Sequence, residues 1–349
     1  MGARWLVTGA QGFIGRYLSA HILHSQPDAK VLGIGRSEYL NDCFTHSVSG
    51  PAGLTPATLP EPVRASFQDA CFSYQRADVT SCADTADVIE AFRPDFVVHL
   101  ASGLRGDSVE KLVSTNICGT AVLLQAICGS RGQRPKVVIG STAGVYGTAV
   151  AGLSLVESGA CSPADDYART KLIAEGIARH SAAGCGVPVA VVRIFNVVGP
   201  GQNERHVAGR IAAQFAAAKS GMRRNLELGY LHCTRDFIDV RDVAQGLIIA
   251  AVRGEGTLNI GSGCERNVEE LVNEFSRASG LDIPRTIRTE IPTGGERSVA
   301  DIRRMRALGF APTFCLRASI EDIWAYYGAL WHLSGGILSC VKTRYNLRL

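Results

Sequence analysis

Arg4-Trp-Leu-Val-Thr8 runs directly into Gly9-Ala-Gln-Gly12-Phe-Ile-Gly15 near the start of this 349-residue chain. The first stretch is a short apolar run cut off by glycine, the pattern of a strand buried on both faces of a parallel sheet. The three glycines permit a tight turn, a close approach of the backbone to a pyrophosphate, and close packing of helix on strand. A helix opening at about Phe13 would then aim its first N–H groups at that negative charge. Gly9, Gln11, Gly12, Phe13, Ile14 and Gly15 are therefore the candidate dinucleotide cradle. A bare glycine triplet could be an ordinary turn; the strand before and the helix after give this one its weight.

The same alternation continues outward. The helix pattern from Phe13 to His24 leads to a second strand, Lys30–Gly35. Residues 41–66, rich in Gly, Pro, Ser and Thr with little periodicity, read as an irregular loop or insertion. Further strands are expected at 72–77, 95–100, 136–141 and 188–194, with helices at about 83–92, 109–129 and 268–279. Strands alternating with helices at this spacing imply an α/β fold with a doubly wound parallel sheet. The expected division is a Rossmann domain over 1–195, to which 236–262 returns. A smaller C-terminal substrate lobe follows from 196–235 and 263–329, and 330–349 is an appendage.

Composition narrows the function classes. With 46% hydrophobic and 19% charged residues the chain can bury a large core. A net charge of +4, dispersed and without a basic stripe, gives no argument for nucleic acid. Eleven cysteines, singly placed and without Cys-x-x-Cys, read as buried free thiols, Cys118 and Cys128 among them, and not as disulfides or a metal site. No leader pattern precedes the first strand and no apolar run reaches membrane-spanning length, so neither a membrane nor a secreted location is expected, and the cytoplasm is.

Two further stretches carry chemistry. After the second strand stands Gly35-Arg36-Ser37, where NAD binding would call for an acid and the phosphate of NADP for an arginine. Arg36 favours NADP over NAD, against the plain reading of an exposed arginine. In Asp165-Asp-Tyr-Ala-Arg-Thr-Lys171, Tyr167 and Lys171 share one helix face. The ammonium could favour the ionised phenol, whose ordinary pKa of about 10 makes it a poor acid or base near neutrality. Alone, such a spacing is usually an aromatic beside a solvated lysine.

With Gly140-Ser-Thr-Ala-Gly-Val-Tyr-Gly147 between the fifth strand and that helix, the chain resembles the extended short-chain dehydrogenase/reductase superfamily, the NAD-dependent epimerase/dehydratase family. The run Arg193-Ile-Phe-Asn-Val-Val-Gly-Pro-Gly-Gln202 is similar to that of GDP-4-keto-6-deoxymannose reductases and related nucleotide-sugar enzymes. The resemblance spans roughly 3–327. It implies a catalytic hydroxyl at Thr142, with Ser141 as neighbouring candidate; either could instead be a strand-end hydroxyl bonding backbone. It implies proton transfer by Tyr167 and cofactor-ribose binding by Lys171. It also implies adenine contact at Asp78 and Val79, cofactor contacts at Leu100, Ala101 and Ser102, and substrate contacts at Asn196 and Arg235. Asn116 matches a helix asparagine near the active site, or is a buried amide bonding backbone.

Three departures qualify the resemblance. The acidic pair that dehydratases carry after the threonine is here Ala143-Gly144, which disfavours a 4,6-dehydratase. An arginine that many relatives place on the diphosphate is Thr293. The loop Ser102-Gly-Leu-Arg-Gly-Asp107 differs from the usual one after strand four, so the sugar-facing wall is expected to be unusual. The resemblance then implies an NAD(P)-dependent reductase of a 4-keto nucleotide sugar. The alternatives are a nucleotide-sugar C4 epimerase with retained NAD, or a non-catalytic NADP-binding regulator. A homodimer is expected, since relatives commonly pair through the helices near 109–129 and 165–183.

Overall fold

Alternate side chains of each apolar run must point to opposite faces of a sheet, and here both faces are covered. The computed structural model describes residues 2–147, 153–288 and 297–332. Seven strands form the central sheet: β1 (Arg4–Thr8), β2 (Lys30–Gly35), β3 (Phe72–Arg76), β4 (Phe96–His99), β5 (Lys136–Thr142), β6 (Val189–Ile194) and β7 (Gly256–Ile260). Their order is β7-β6-β5-β4-β1-β2-β3 and every pairing is parallel.

Trp5, Val7, Val98, Val138 and Val192 pack to one side with α1 (Phe13–Ser25). Leu6, Leu32, Val97, Ile139 and Val191 pack to the other. There they meet Val88 and Ile89 of α2 (Cys82–Phe92), Leu123, Leu124 and Ile127 of the helix α3 (Val109–Gly129), and Ala178 of α4 (Asp166–Cys185). The strand order turns back between β1 and β4, which opens a crevice at their C-terminal ends, the place where such sheets bind ligands.

A smaller set of elements stands over that end. Asn196–Val198 and Arg297–Ser298 flank Thr234–Asp239 in parallel, and Glu265–Asn267 pairs with it antiparallel. Helices α5 (Val207–Lys219), α6 (Val240–Arg253), α7 (Val268–Ser279) and α8 (Leu316–Leu330) continue the first core layer, with Phe215 stacked on Phe275. A buried ion-pair chain, Asp239–Arg241–Asp322 at 2.7 and 2.8 Å, fastens α8 to the start of α6. Strand β7 returns to the central sheet beside β6.

Three expectations are corrected. Residues 41–66 are an antiparallel hairpin, Cys43–Gly50 with Gly53–Thr58, followed by a short helix Glu61–Ser66. Tertiary contacts order it: Glu204 accepts from the Ser49 amide and hydroxyl, and Trp331 Nε1 donates to the Ser49 carbonyl at 2.9 Å. The cysteines are not uniformly buried free thiols. Cys128 and Cys185, at the ends of α3 and α4, form a disulfide, Cys118 is exposed, and among the described free cysteines Cys233 alone is buried. Finally, α3 has 21 residues and a mean hydropathy of 1.5, enough by length and composition to cross a membrane. In this fold Leu112, Leu123, Leu124 and Ile127 of that helix are buried against its neighbours. Thr293 and the segment 333–349 lie outside the described residues.

Candidate active site

The glycine turn has the shape a dinucleotide needs. Gly9 has φ +68°, and a Cβ there would stand 2.8 Å from the Ala101 amide nitrogen after β4. A Cβ on Gly15 would lie 2.3 Å from the Gly9 carbonyl oxygen, so helix and turn touch because that side chain is absent. Gly12 is the N-cap of α1 and supplies no side-chain cap, leaving the helix's first N–H groups for an anion. These features fit a pyrophosphate cradle.

The other expected cofactor residues divide. Arg36 is exposed at the end of β2 and pairs with no carboxylate among the described residues. Asp78 closes its own turn, accepting from the Thr80 amide and hydroxyl through one oxygen, both at 2.9 Å. Val79 is buried against Gly119. Leu100 and Ala101 donate their amides to the Thr8 hydroxyl at 3.2 and 3.1 Å, which sets the rim of the crevice. The Gln11 side-chain amide donates to the Tyr39 carbonyl and accepts from Arg16, so it also ties the glycine turn to the loop after β2. Phe13 packs edge-on against Tyr17 and beside Phe44, and Ile14 joins the core.

Tyr167 lies half-buried in the first turn of α4, whose N-cap is Asp165. Burial raises its phenol above the ordinary value; the charge of Arg105 and then a hydrogen bond with Ser102 pull it back. Thr142 ends β5, where its hydroxyl accepts from the Gly144 amide at 3.1 Å. Thr142 and Arg105 both border Gly144. A Cβ there would lie 3.3 Å from Ala168 Cβ, 3.3 Å from Arg105 Nη2 and 3.5 Å from Thr142 Oγ1.

Lys171 is buried at 4% exposure. Desolvation drops its pKa to about 8, against the opposing pull of Glu175. Its charge also bears on His99, which burial holds neutral at about 3 between Thr8 (2.8 Å) and Thr120 (3.2 Å). In this structure the cation that bears on the Tyr167 phenol is Arg105, while Lys171 lies buried one helical turn along, where Glu175 favours its charged form.

Asn116 sits in a π-helical stretch, Val113–Cys118, inside α3. Its carbonyl oxygen accepts from Ser102 (2.9 Å) and the Gly103 amide (2.8 Å), and its amide donates to Thr170 (2.9 Å), beside Tyr167. Both halves of the amide therefore bind the loop after β4 to the Tyr167 helix. Ser141 is buried and donates to Glu175 at 2.6 Å; that carboxylate also pairs with Arg193 at 2.8 Å. The Ser141 hydroxyl thus bonds the buried Glu175–Arg193 ion pair. Asn196 donates to the Asp236 carbonyl at 3.3 Å, and Arg235, on the adjoining strand, is close enough to Arg105 for their charges to oppose.

Arg105 is the residue that sequence reasoning missed. It bonds Asp165 through Nε and Nη2, both at 2.8 Å, with its guanidinium carbon 5.8 Å from the Tyr167 ring centre. Two residues on, Asp107 pairs with Lys111 (2.9 Å) and Arg205 (3.2 Å). The only signal in the sequence was the departure of that loop from the family's usual form.

A family model described as "NAD dependent epimerase/dehydratase family" matches residues 5–261. The chain belongs to that family. Among curated members, it is 31% identical over 333 residues to a dTDP-6-deoxy-L-talose 4-dehydrogenase (NAD(P)(+)) of Kitasatospora kifunensis, covering 92% of this chain and 95% of the relative. It is 31% identical over 292 residues to a GDP-6-deoxy-D-mannose reductase of Pseudomonas aeruginosa, covering 81% and 82%. A UDP-glucose 4-epimerase of Streptomyces lividans matches at 27% over 96% of this chain and 97% of its own length. The solved structure of RMD from Pseudomonas aeruginosa complexed with NADPH superposes with a TM-score of 0.75 at 26% identity, covering 94% and 99%. Epimerase/dehydratase family members of differing reaction thus share this fold, and the choice among them falls to the site.

Proposed function

We propose that this protein is a nucleotide-sugar oxidoreductase that reduces a 4-keto sugar, drawing on NADPH. The observation that carries the reading is the ground around Gly144: the Thr142 hydroxyl and the Arg105 guanidinium flank it, that guanidinium lies 5.8 Å from the Tyr167 ring centre, and no carboxylate stands at Ala143 or Gly144. Elimination of water needs a group to take a carbon-bound proton and one to protonate the leaving hydroxyl; those two positions hold none.

A bound nicotinamide supplies the hydride. The chain supplies position and protons. Thr142 can donate to the carbonyl oxygen as charge develops on it, and Tyr167 gives that oxygen its proton. Lys171, buried beneath, would hold the nicotinamide ribose, and Arg235 and Asn196 would meet the diphosphate. Arg36 supports NADP over NAD. The dehydrogenase and reductase relatives at 31% identity support the reaction class.

The epimerase relatives support a second reading, C4 epimerisation with retained cofactor. Enzyme mixed with NADPH and a 4-keto-6-deoxy nucleotide sugar separates the two. Stoichiometric loss of the reduced-nicotinamide absorbance is the expected result; isomer formation without net oxidation would decide for the epimerase. Exposed Val113 on α3 and Ile173 on α4 support a homodimer through those helices, which light scattering of the eluting protein would test.

A further inference from the structure

The loop after β4 does more than line the crevice. Its Arg105 reaches across to the N-terminus of α4, where Asp165 both caps the helix, accepting from the Ala168 amide at 2.8 Å, and fixes the guanidinium through two contacts at 2.8 Å. That grip holds the cation 5.8 Å from the Tyr167 ring centre. Glycine at 144 leaves the guanidinium uncrowded: a Cβ there would begin 3.3 Å from Nη2, closer than ordinary packing.

We propose that Arg105 is a positioning residue for proton transfer, a permanent cation clamped over Tyr167 that favours the phenolate while the proton moves. The proposal rests on the reading of Tyr167 as the acid/base. The groups bearing on that phenol are Arg105 and Ser102 from the loop and Asp165 from the helix cap; Lys171 stands one turn along α4. Asp165 opposes Arg105, but its effect on the phenol is the smaller of the two. Lys171 titrates at about 8, so it loses its charge in the alkaline range where alcohol oxidation is favoured, whereas a guanidinium does not.

The test uses Arg105→Gln, which can still donate to Asp165 but carries no charge, and Arg105→Lys, which restores the charge. Tyr167 ionisation is followed without substrate, as the phenolate absorbance difference between each enzyme and its Tyr167→Phe counterpart. The pH profile of kcat is recorded in the alcohol-oxidising direction. A charge at this distance in a partly screened site predicts about three- to tenfold lower kcat on the acid limb for Arg105→Gln, with the phenolate titration moved to higher pH. Arg105→Lys should recover most of both, and KM for NADP should stay within about twofold throughout. Coincident titrations in wild type and Arg105→Gln would overturn the proposal. Failure of the functional reading shows up separately, as turnover persisting in Tyr167→Phe, which the substrate-free titration does not depend on.

Discussion

Tyr167 and Lys171 are one helical turn apart, yet the interior treats them in opposite ways. Burial disfavours whichever form is charged, so it raises the phenol and lowers the amine. Replacing Tyr167 by Phe should cost about 10²–10⁴-fold in kcat while dinucleotide affinity, measured by titrating bound-nicotinamide fluorescence, stays unchanged. Lys171 makes a less obvious prediction. Its pKa falls from 10.5 to about 8 in the folded protein. Below pH 8 the folded chain carries a buried ammonium that the unfolded chain would hydrate. Between about 8 and 10.5 the unfolded state binds the extra proton, so this group's contribution to stability rises with pH across that window. Lys171→Met should therefore be more stable than wild type at pH 7, by about 1–3 kcal/mol, and inactive. The gap in denaturation midpoint should close as pH approaches 10.5. A gap independent of pH would mean that folding leaves the proton affinity of this lysine unchanged.

At the scale of elements, the sharpest constraint is the contact between the glycine turn and α1. Gly15→Val would place its Cβ 2.3 Å from the Gly9 carbonyl, forcing α1 away from β1. Dinucleotide binding should fall at least about tenfold and stability by about 1–3 kcal/mol, the usual cost of overpacking a tight contact. Calorimetric titration and thermal melts would check the two separately. This contact was readable in the sequence because glycine has one physical use there. The parallel strands were readable too: Lys30–Gly35 has the expected bounds, and Val189–Ile194 starts one residue late. The hairpin at 43–58 was not. Phe44, Val48 and Ala57 are its buried apolar residues, spaced across a register shift between Cys43 and Ser47, and Pro56 sits within its second strand. Its order comes from distant partners, Glu204 and Trp331, which no local pattern announces. The π-helical stretch that turns Asn116 toward both loop and helix escaped for a similar reason, since one added residue per turn leaves hydropathy nearly unchanged.

For the whole molecule, the site is assembled from segments far apart in sequence. Thr8 meets His99, Asn116 meets Thr170, Ser141 meets Glu175, and Arg105 meets Asp165. Sequence motifs named most of the candidate groups but not the ties between them, because a tie such as Arg105–Asp165 depends on how loops cross the sheet's end. Cofactor binding should therefore act on stability as a whole: a ligand that binds only the folded state adds RT ln(1 + [L]/Kd), about 2.7 kcal/mol at a hundredfold excess over Kd. For a chain of this size that is roughly 3–5 °C in midpoint temperature. If Arg36 meets the additional phosphate, NADPH should give a larger rise than NADH at equal concentration. Arg36→Ala should remove that difference and leave the NADH response alone, because the exposed guanidinium supports no fold contact among the described residues. Equal shifts from the two nucleotides in wild type would reassign Arg36 to the solvated surface and move the cofactor reading to NAD, the cofactor that an epimerase cycle would retain.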